Sequence, residues 1–162
     1  MRIEKAVINA SPFILLAKAR LTELLPQIFT EILMPEAVSE EIISGADIAA
    51  DTFYEYEDKQ IIVCQANPLE DVLVWNLGDG ETEVLSFVFA NKSTHTALID
   101  DRAARKCAET LGIKTLGTGG ILVLAKKRGL IETVAPELKK LQDAGLWISE
   151  DVAGAILKQA GE

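Results

Sequence analysis

The chain has 162 residues, 49% of them apolar, which excludes disorder and suffices for one domain with a buried core. Sixteen basic residues against 25 acidic ones give a formal charge of −9, which argues against binding nucleic acid through bulk charge alone. A metal site reverses that argument locally, because a bound cation inverts the field around it.

The first predicted strand, residues 6–8, stops at Asn9. Ser11 reads as the N-cap of the helix that follows, with Pro12 in its first position. Further β-branched runs at 32–34, 61–63, 97–99 and 114–116 predict four more strands. Between them apolar residues recur three and four apart, as in Phe13, Leu16 and Ala17 or Val84, Leu85, Val88 and Phe89. The alternation predicts an α/β fold, a central parallel sheet of about five strands flanked by helices. Pro35 reads as the start of the second helix. Residues 47–59 read as an acidic, mostly solvated helix, and 67–79 as the longest irregular connection. Asp79, Asp100 and Thr118 are candidate N-caps, and Gly112, Gly129 and Gly145 fall where helices should stop. "ELKKLQDAGLW" and "EDVAGAILKQ", the latter capped by Ser149, predict a C-terminal helical pair over about 131–162, within one domain spanning 1–162. The segment "PFILLAKARLTELL" carries more apolar residues than one core contact needs, which predicts a homodimer.

Cys64 and Cys107 have no metal-like spacing, so neither a disulfide framework nor a zinc site is indicated. With no signal-peptide pattern and no apolar run of membrane length, a cytoplasmic protein without membrane attachment is expected. His95, in "NKSTHT", reads as a surface residue, and Cys107 as core packing. One histidine so placed supports no nucleophilic triad.

The acids are more informative. Asn9 follows strand one, Glu40 and Glu41 lie in the helix after strand two, and Glu81 and Glu83 start the helix leading into strand four. Asp100 and Asp101 end strand four. In a parallel sheet all carboxyl ends share one edge, so these groups can converge there. Carboxylates around one cleft repel unless a divalent cation neutralises them, and oxygen-only ligation suits magnesium or manganese. Such ions clamp the oxygens of an in-line displacement at phosphorus and activate the attacking water. Each acid also has a plainer explanation: the helix dipole favours Asp79, Glu81 and Asp101 in first turns whatever the function. "GTGG" at 117–120 reads as a tight strand-to-helix turn, and otherwise as an anion site on backbone amides.

Taken in order, "NASPFILLAK", "MPEAVSEEI", "GETEVLSFVFA", "LIDDRAARKCAETLGI", "GTGGILVLAKKRGLI" and "LQDAGLWISEDV" resemble the PIN-domain family of metal-dependent ribonucleases. They are most similar to its prokaryotic subgroup with an Asn-Ala-Ser-Pro opening, related to VapC-type toxins. The resemblance implies a PIN-like three-layer fold and a site of three or four acids that holds Mg2+ or Mn2+ and cuts single-stranded RNA. Carried over by position, the first acid falls on Asn9, the second on Glu41, the third on Glu81 or Glu83, and the last on Asp101 or Asp100. Ser11 matches the family's small hydroxyl residue, and Ser11 and Thr118 are candidate substrate contacts. Asn9 is an amide where most of these nucleases keep an aspartate.

Three functions follow as expectations. The first is a metal-dependent endoribonuclease, as the toxin partner of an antitoxin protein. The second is a PIN-fold module that binds RNA or protein without turnover, favoured by Asn9. The third, a small-molecule or nucleotide binder, rests on "GTGG" alone.

Overall fold

A computed structural model describes residues 5–162. Five strands, β1 (Lys5–Ile8), β2 (Glu31–Pro35), β3 (Ile62–Cys64), β4 (His95–Leu98) and β5 (Thr115–Leu116), form one sheet in the order β3-β2-β1-β4-β5. Every pairing is parallel. The chain winds outward from β1 to β3, then crosses back to β4 on the other side of β1. The direction of winding therefore reverses between β1 and β4, the point at which open α/β sheets leave a crevice at their carboxyl edge.

The helices are α1 (Ala10–Lys18), α2 (Leu24–Ile28), α3 (Glu36–Ser44), α4 (Ile48–Tyr56), α5 (Glu70–Leu73), α6 (Asp79–Ala90), α7 (Arg102–Leu111), α8 (Thr118–Lys127), α9 (Ala135–Ala144) and α10 (Glu150–Gln159). One contiguous apolar core runs between them and the sheet. β1 is completely buried from Ala6 to Ile8, as a central strand covered on both faces must be. Helix α6 lies across β1, β2 and β4 through buried Val84, Leu85 and Val88, so its first turn overhangs the carboxyl edge. None of the described helices is long and apolar enough to cross a membrane.

Several element boundaries move relative to the sequence expectation. Asn9, extended at φ −83° and ψ 167°, is the N-cap of α1 in place of Ser11, and Pro12 sits within the first turn, where its missing N–H is harmless. Pro35 closes β2 and caps α3. Gly78, Asp101 and Gly117 occupy the N-cap positions expected for Asp79, Asp100 and Thr118. The segment 67–79 is not wholly irregular, because α5 forms in it around buried Val72. His95 is buried at the start of β4, not exposed in a loop. Its ring meets Phe87 edge-on at 5.5 Å and its Nδ1 lies 2.8 Å from the Thr94 hydroxyl. The expected acidic helix is α4, capped by Asp47 and anchored by Ala49, Ala50 and Phe53. Phe53 meets Phe13 of α1 edge-on at 6.5 Å. The apolar residues of "PFILLAKARLTELL" are largely buried inside the chain, including Phe13, Leu16, Leu24 and Leu25.

The C-terminal helices form as expected, but their main partners are not each other. Helix α9 buries Leu138 and Leu141 and packs on α1 and α8, whereas α10 lies along α8. A single side chain straps them. The Glu162 carboxylate accepts from the Val134 and Ala135 N–H groups at the start of α9, at 2.6 and 3.2 Å, and pairs with Lys126 of α8 at 2.9 Å. The Val134 N–H, followed by the Lys126 side chain, holds this carboxyl below the usual carboxylate range. A depressed folded-state value stabilises the fold above the unfolded carboxylate range, near pH 4.3, and that contribution is lost as pH falls through the folded value. Thermal melts of Glu162→Gln should therefore lie below those of the parent at neutral pH. The gap should close as the buffer is taken below about pH 4. A gap independent of pH would mean that the strap acts through packing alone.

Candidate active site

The crevice between β1 and β4 is built from three elements. The last rung joining the two strands is the Asn9 N–H donating to the Leu98 carbonyl at 3.0 Å. This fixes Asn9, 2% exposed, at the reversal point. Its side-chain Nδ2 donates to Glu81 Oε1 at 3.2 Å across the first turn of α6. The amide Oδ1 accepts no hydrogen bond among the described residues. Between Glu81 and the sheet sits Gly80. A Cβ built there would lie 3.1 Å from Asn9 Oδ1, 3.4 Å from Val38 and 3.9 Å from Glu41 Oε1. The missing side chain thus leaves a small hollow onto which the amide oxygen and the Glu41 carboxylate both face.

Glu41 reaches this place from α3. Burial raises its pKa first, and the charge on Glu81 raises it further. Glu83, two residues beyond Glu81, cannot share the hollow because residues so spaced on a helix do not face the same way. It turns instead to the start of α3, where Oε1 accepts from the Ala37 N–H at 3.3 Å. That bond supplies a cap which Pro35 cannot. Burial raises the Glu83 pKa, the Ala37 N–H opposes the rise, and Glu36, Glu40 and Asp79 add to it. Neighbouring Cys64, at the end of β3, is pushed up to about 11 by burial and by the charges of Glu83 and Glu36. It stays a thiol at neutral pH and is a poor nucleophile.

Asp100 and Asp101 divide their tasks. Asp100 accepts from the Thr118 N–H at 2.7 Å and from the Thr118 hydroxyl, bracing the turn from β5 into α8. Asp101 caps α7 through Oδ2, which accepts from the Ala104 N–H at 2.9 Å. Its Oδ1 accepts no hydrogen bond among the described residues. Ser11 stands exposed in the first turn of α1, and Thr118 is fully buried. The structure thus brings Asn9, Glu41 and Glu81 together, turns Glu83 aside, and makes Asp100 a brace. Asp101 remains at the same sheet edge on the adjacent strand. Gly80 was not singled out by the sequence. Its signal was a glycine directly before an acid in a first helical turn, "GDGETE".

Among the described residues no three His, Cys, Asp or Glu side chains gather as a metal cage. Two carboxylates with an amide oxygen are nevertheless a hard-oxygen set whose two charges match a divalent ion. Magnesium commonly keeps most of its waters and takes only one or two carboxylates. Gly80 keeps a side chain out from between Asn9 Oδ1 and Glu41, and the chemistry of the donor set fits such an ion.

A parallel sheet with winding reversed at its centre, and acids collected at the reversal, defines the chain as a doubly wound α/β protein with an acidic crevice. A family model described as a PIN domain matches residues 5–162, and the chain belongs to the PIN-domain family. PIN domains are generally metal-dependent nucleases, which places the chain in the hydrolase class. No curated protein matches it.

Proposed function

We propose that the protein is an Mg2+- or Mn2+-dependent endoribonuclease acting on single-stranded RNA in the cytoplasm, as the toxin of a toxin–antitoxin pair. The observation that carries the nuclease reading is the grouping at the sheet's reversal point of Asn9, whose Oδ1 lies with Glu41 beside Gly80, and Glu81, which Asn9 Nδ2 holds by a hydrogen bond. Free thiols at Cys64 and Cys107 accord with a reducing compartment. A divalent ion bound there would stabilise the negative charge that develops on the phosphoryl oxygens during strand cleavage. Glu41 and Glu81 would hold it with Asn9 as a neutral third ligand, and Asp101, whose Oδ1 accepts no hydrogen bond among the described residues, would act from the start of α7 at the same sheet edge. Asn9 also orients Glu81 through its Nδ2 hydrogen.

The test is cleavage of labelled single-stranded RNA with manganese, comparing the parent, Glu81→Gln and the chelated parent. Cleavage by the parent alone is expected, and equal cutting by Glu81→Gln would overturn the assignment. Calorimetry of Gly80→Ala adds an independent check. A methyl in the hollow should weaken manganese binding by about tenfold, the scale of changes beside metal ligands. Stability without metal should change by less than about 1 kcal/mol, because alanine's helix preference offsets the tight 3.1 Å approach to Asn9 Oδ1. Undiminished affinity would place the ion elsewhere.

One observation favours a second reading, a PIN-fold module that binds RNA or protein without turnover. Glu81 already has a hydrogen-bond donor in Asn9, so the pair is partly neutralised without any ion. Manganese-independent RNA binding with no cleavage under any metal would select that reading.

A further inference from the structure

Beside the acid site lies a groove of about 460 Å³ lined by Asp100, Arg105, Leu116, Trp147, Val152 and Ile156, among others. It runs between the end of β5 and helix α10. Trp147 stands at its lip with 95% of its surface exposed, the most exposed large apolar side chain among the described residues. An indole left in water needs a reason, since nothing in the fold uses its area. The two ionisable groups in the groove differ in how they are satisfied. Both Asp100 oxygens are engaged by Thr118. Arg105, an exposed residue, makes no ion pair among the described residues, and its guanidinium lies close to Gly117. A Cβ at Gly117 would lie 3.0 Å from its Nη1 and 3.1 Å from Asp100 Oδ1.

The groove is continuous with the acid site. Ile8 pairs with Leu98, and Leu98 with Leu116, so Asn9, Ile99 and Gly117 follow in one row across three adjacent strands. Two strand spacings put the Asn9 and Gly117 backbones about 10 Å apart. A strand of RNA lying along the carboxyl edge meets both.

An exposed aromatic face beside an unpaired guanidinium, on a path that leads to carboxylates, matches the chemistry of single-stranded nucleic acid. Bases stack on aromatic rings without regard to sequence, and arginine takes the phosphate. We propose that this groove is an RNA subsite flanking the site of cleavage, with a base stacked on Trp147 and the adjoining phosphodiester on Arg105. The inference rests on the reading of the chain as a single-strand nuclease and adds where the substrate is gripped. It also explains how a chain of charge −9 can hold RNA, through stacking and one local cation in place of a basic surface.

The test uses a labelled single-stranded RNA of about eight nucleotides, a length typical of such sites, in chelator so that nothing is cut. Anisotropy gives affinity and tryptophan emission reports stacking. The parent should bind with quenched emission. Trp147→Ala should bind about tenfold or more weakly, Trp147→Tyr should recover most of the affinity, and Arg105→Ala should lower the salt slope by about one. At so exposed a position, Trp147 substitutions leave the fold intact, which circular dichroism will verify. With manganese present, Trp147→Ala should raise KM more than it lowers kcat.

The two readings fail separately. Binding and cutting by Trp147→Ala equal to the parent's would overturn the subsite and leave the nuclease standing. Weakened binding by Trp147→Ala with no cleavage by the parent in any metal would uphold the subsite and remove the nuclease. No RNA binding by the parent would overturn the subsite. So would a change of oligomeric state in Trp147→Ala with RNA binding unaltered, since the groove would then hold protein.

Discussion

Asn9→Asp is expected to act in opposite directions with and without metal. In chelator, the donor that Glu81 now receives becomes a third carboxylate, 2% exposed, facing Glu81 and beside Glu41. Losing a hydrogen bond to a charged group and adding repulsion should cost about 2 kcal/mol, lowering the melting temperature by roughly 4–8 °C in a chain of this size. Manganese should more than restore it, because a full charge replaces a dipole among the ligands and the ion binds only the folded site. Cleavage should rise in parallel. A tightly held ion is a well-placed one, and misplacement near 1 Å costs roughly a hundredfold in rate. Melting curves in chelator and in manganese, with RNA cleavage alongside, check all of this. Were Asn9→Asp as stable as the parent in chelator and indifferent to manganese, position 9 would lie outside the ligand set.

The second large effect separates two neighbours in sequence. Asp101→Asn is expected to reduce manganese-dependent cleavage by at least about a hundredfold, the scale seen when one electrostatic group is removed from a reacting centre. Its stability should stay within about 0.5 kcal/mol of the parent, since asparagine caps a helix as well as aspartate does. Asp100→Ala should do the reverse in kind. It strips the Thr118 N–H and hydroxyl of their acceptor at a fully buried residue, at a cost of about 2–3 kcal/mol in denaturant unfolding. Cleavage should fall only as far as the turn from β5 into α8 loosens. A stable, fully active Asp101→Asn would return Asp101 to the role of helix cap and no more.

The sheet was legible in the sequence because its strands are short apolar runs between helical patterns, and strand-helix alternation permits few other topologies. Positions that depend on contacts between elements were not. His95 closes a polar run, "NKSTHT", and nothing local says that it pairs with Lys5 in a central strand. Helix caps were misplaced by one or two positions, because an N-cap is chosen by extended dihedrals that asparagine, glycine and proline all accept at these turns. At the site, sequence order gathered the acids at one sheet edge without ranking them. Whether Glu81 or Glu83 faces Asn9 depends on the rotation of α6. Burial of Val84, Leu85 and Val88 against the sheet sets it. Whether Asp100 or Asp101 braces α8 depends on where β5 delivers Thr118, which only the assembled sheet defines. Trp147 illustrates the converse. Nothing in the sequence around it assigned it a role, and only its exposure makes it a feature of the surface.

The reversal of winding between β1 and β4 bears on when the protein becomes functional during its own synthesis. Asn9 leaves the ribosome early, yet its backbone partner Leu98 and its side-chain partner Glu81 lie more than seventy positions later. Closing so long a loop is slow, and the β1–β2 pair has an unprotected edge until β4 arrives. At synthesis rates of about 5–20 residues per second, the nascent chain spends several seconds with strand one exported and no cleft to belong to. The edge strand left open in the interval is the segment on which a chaperone, or a second nascent copy, would find its purchase.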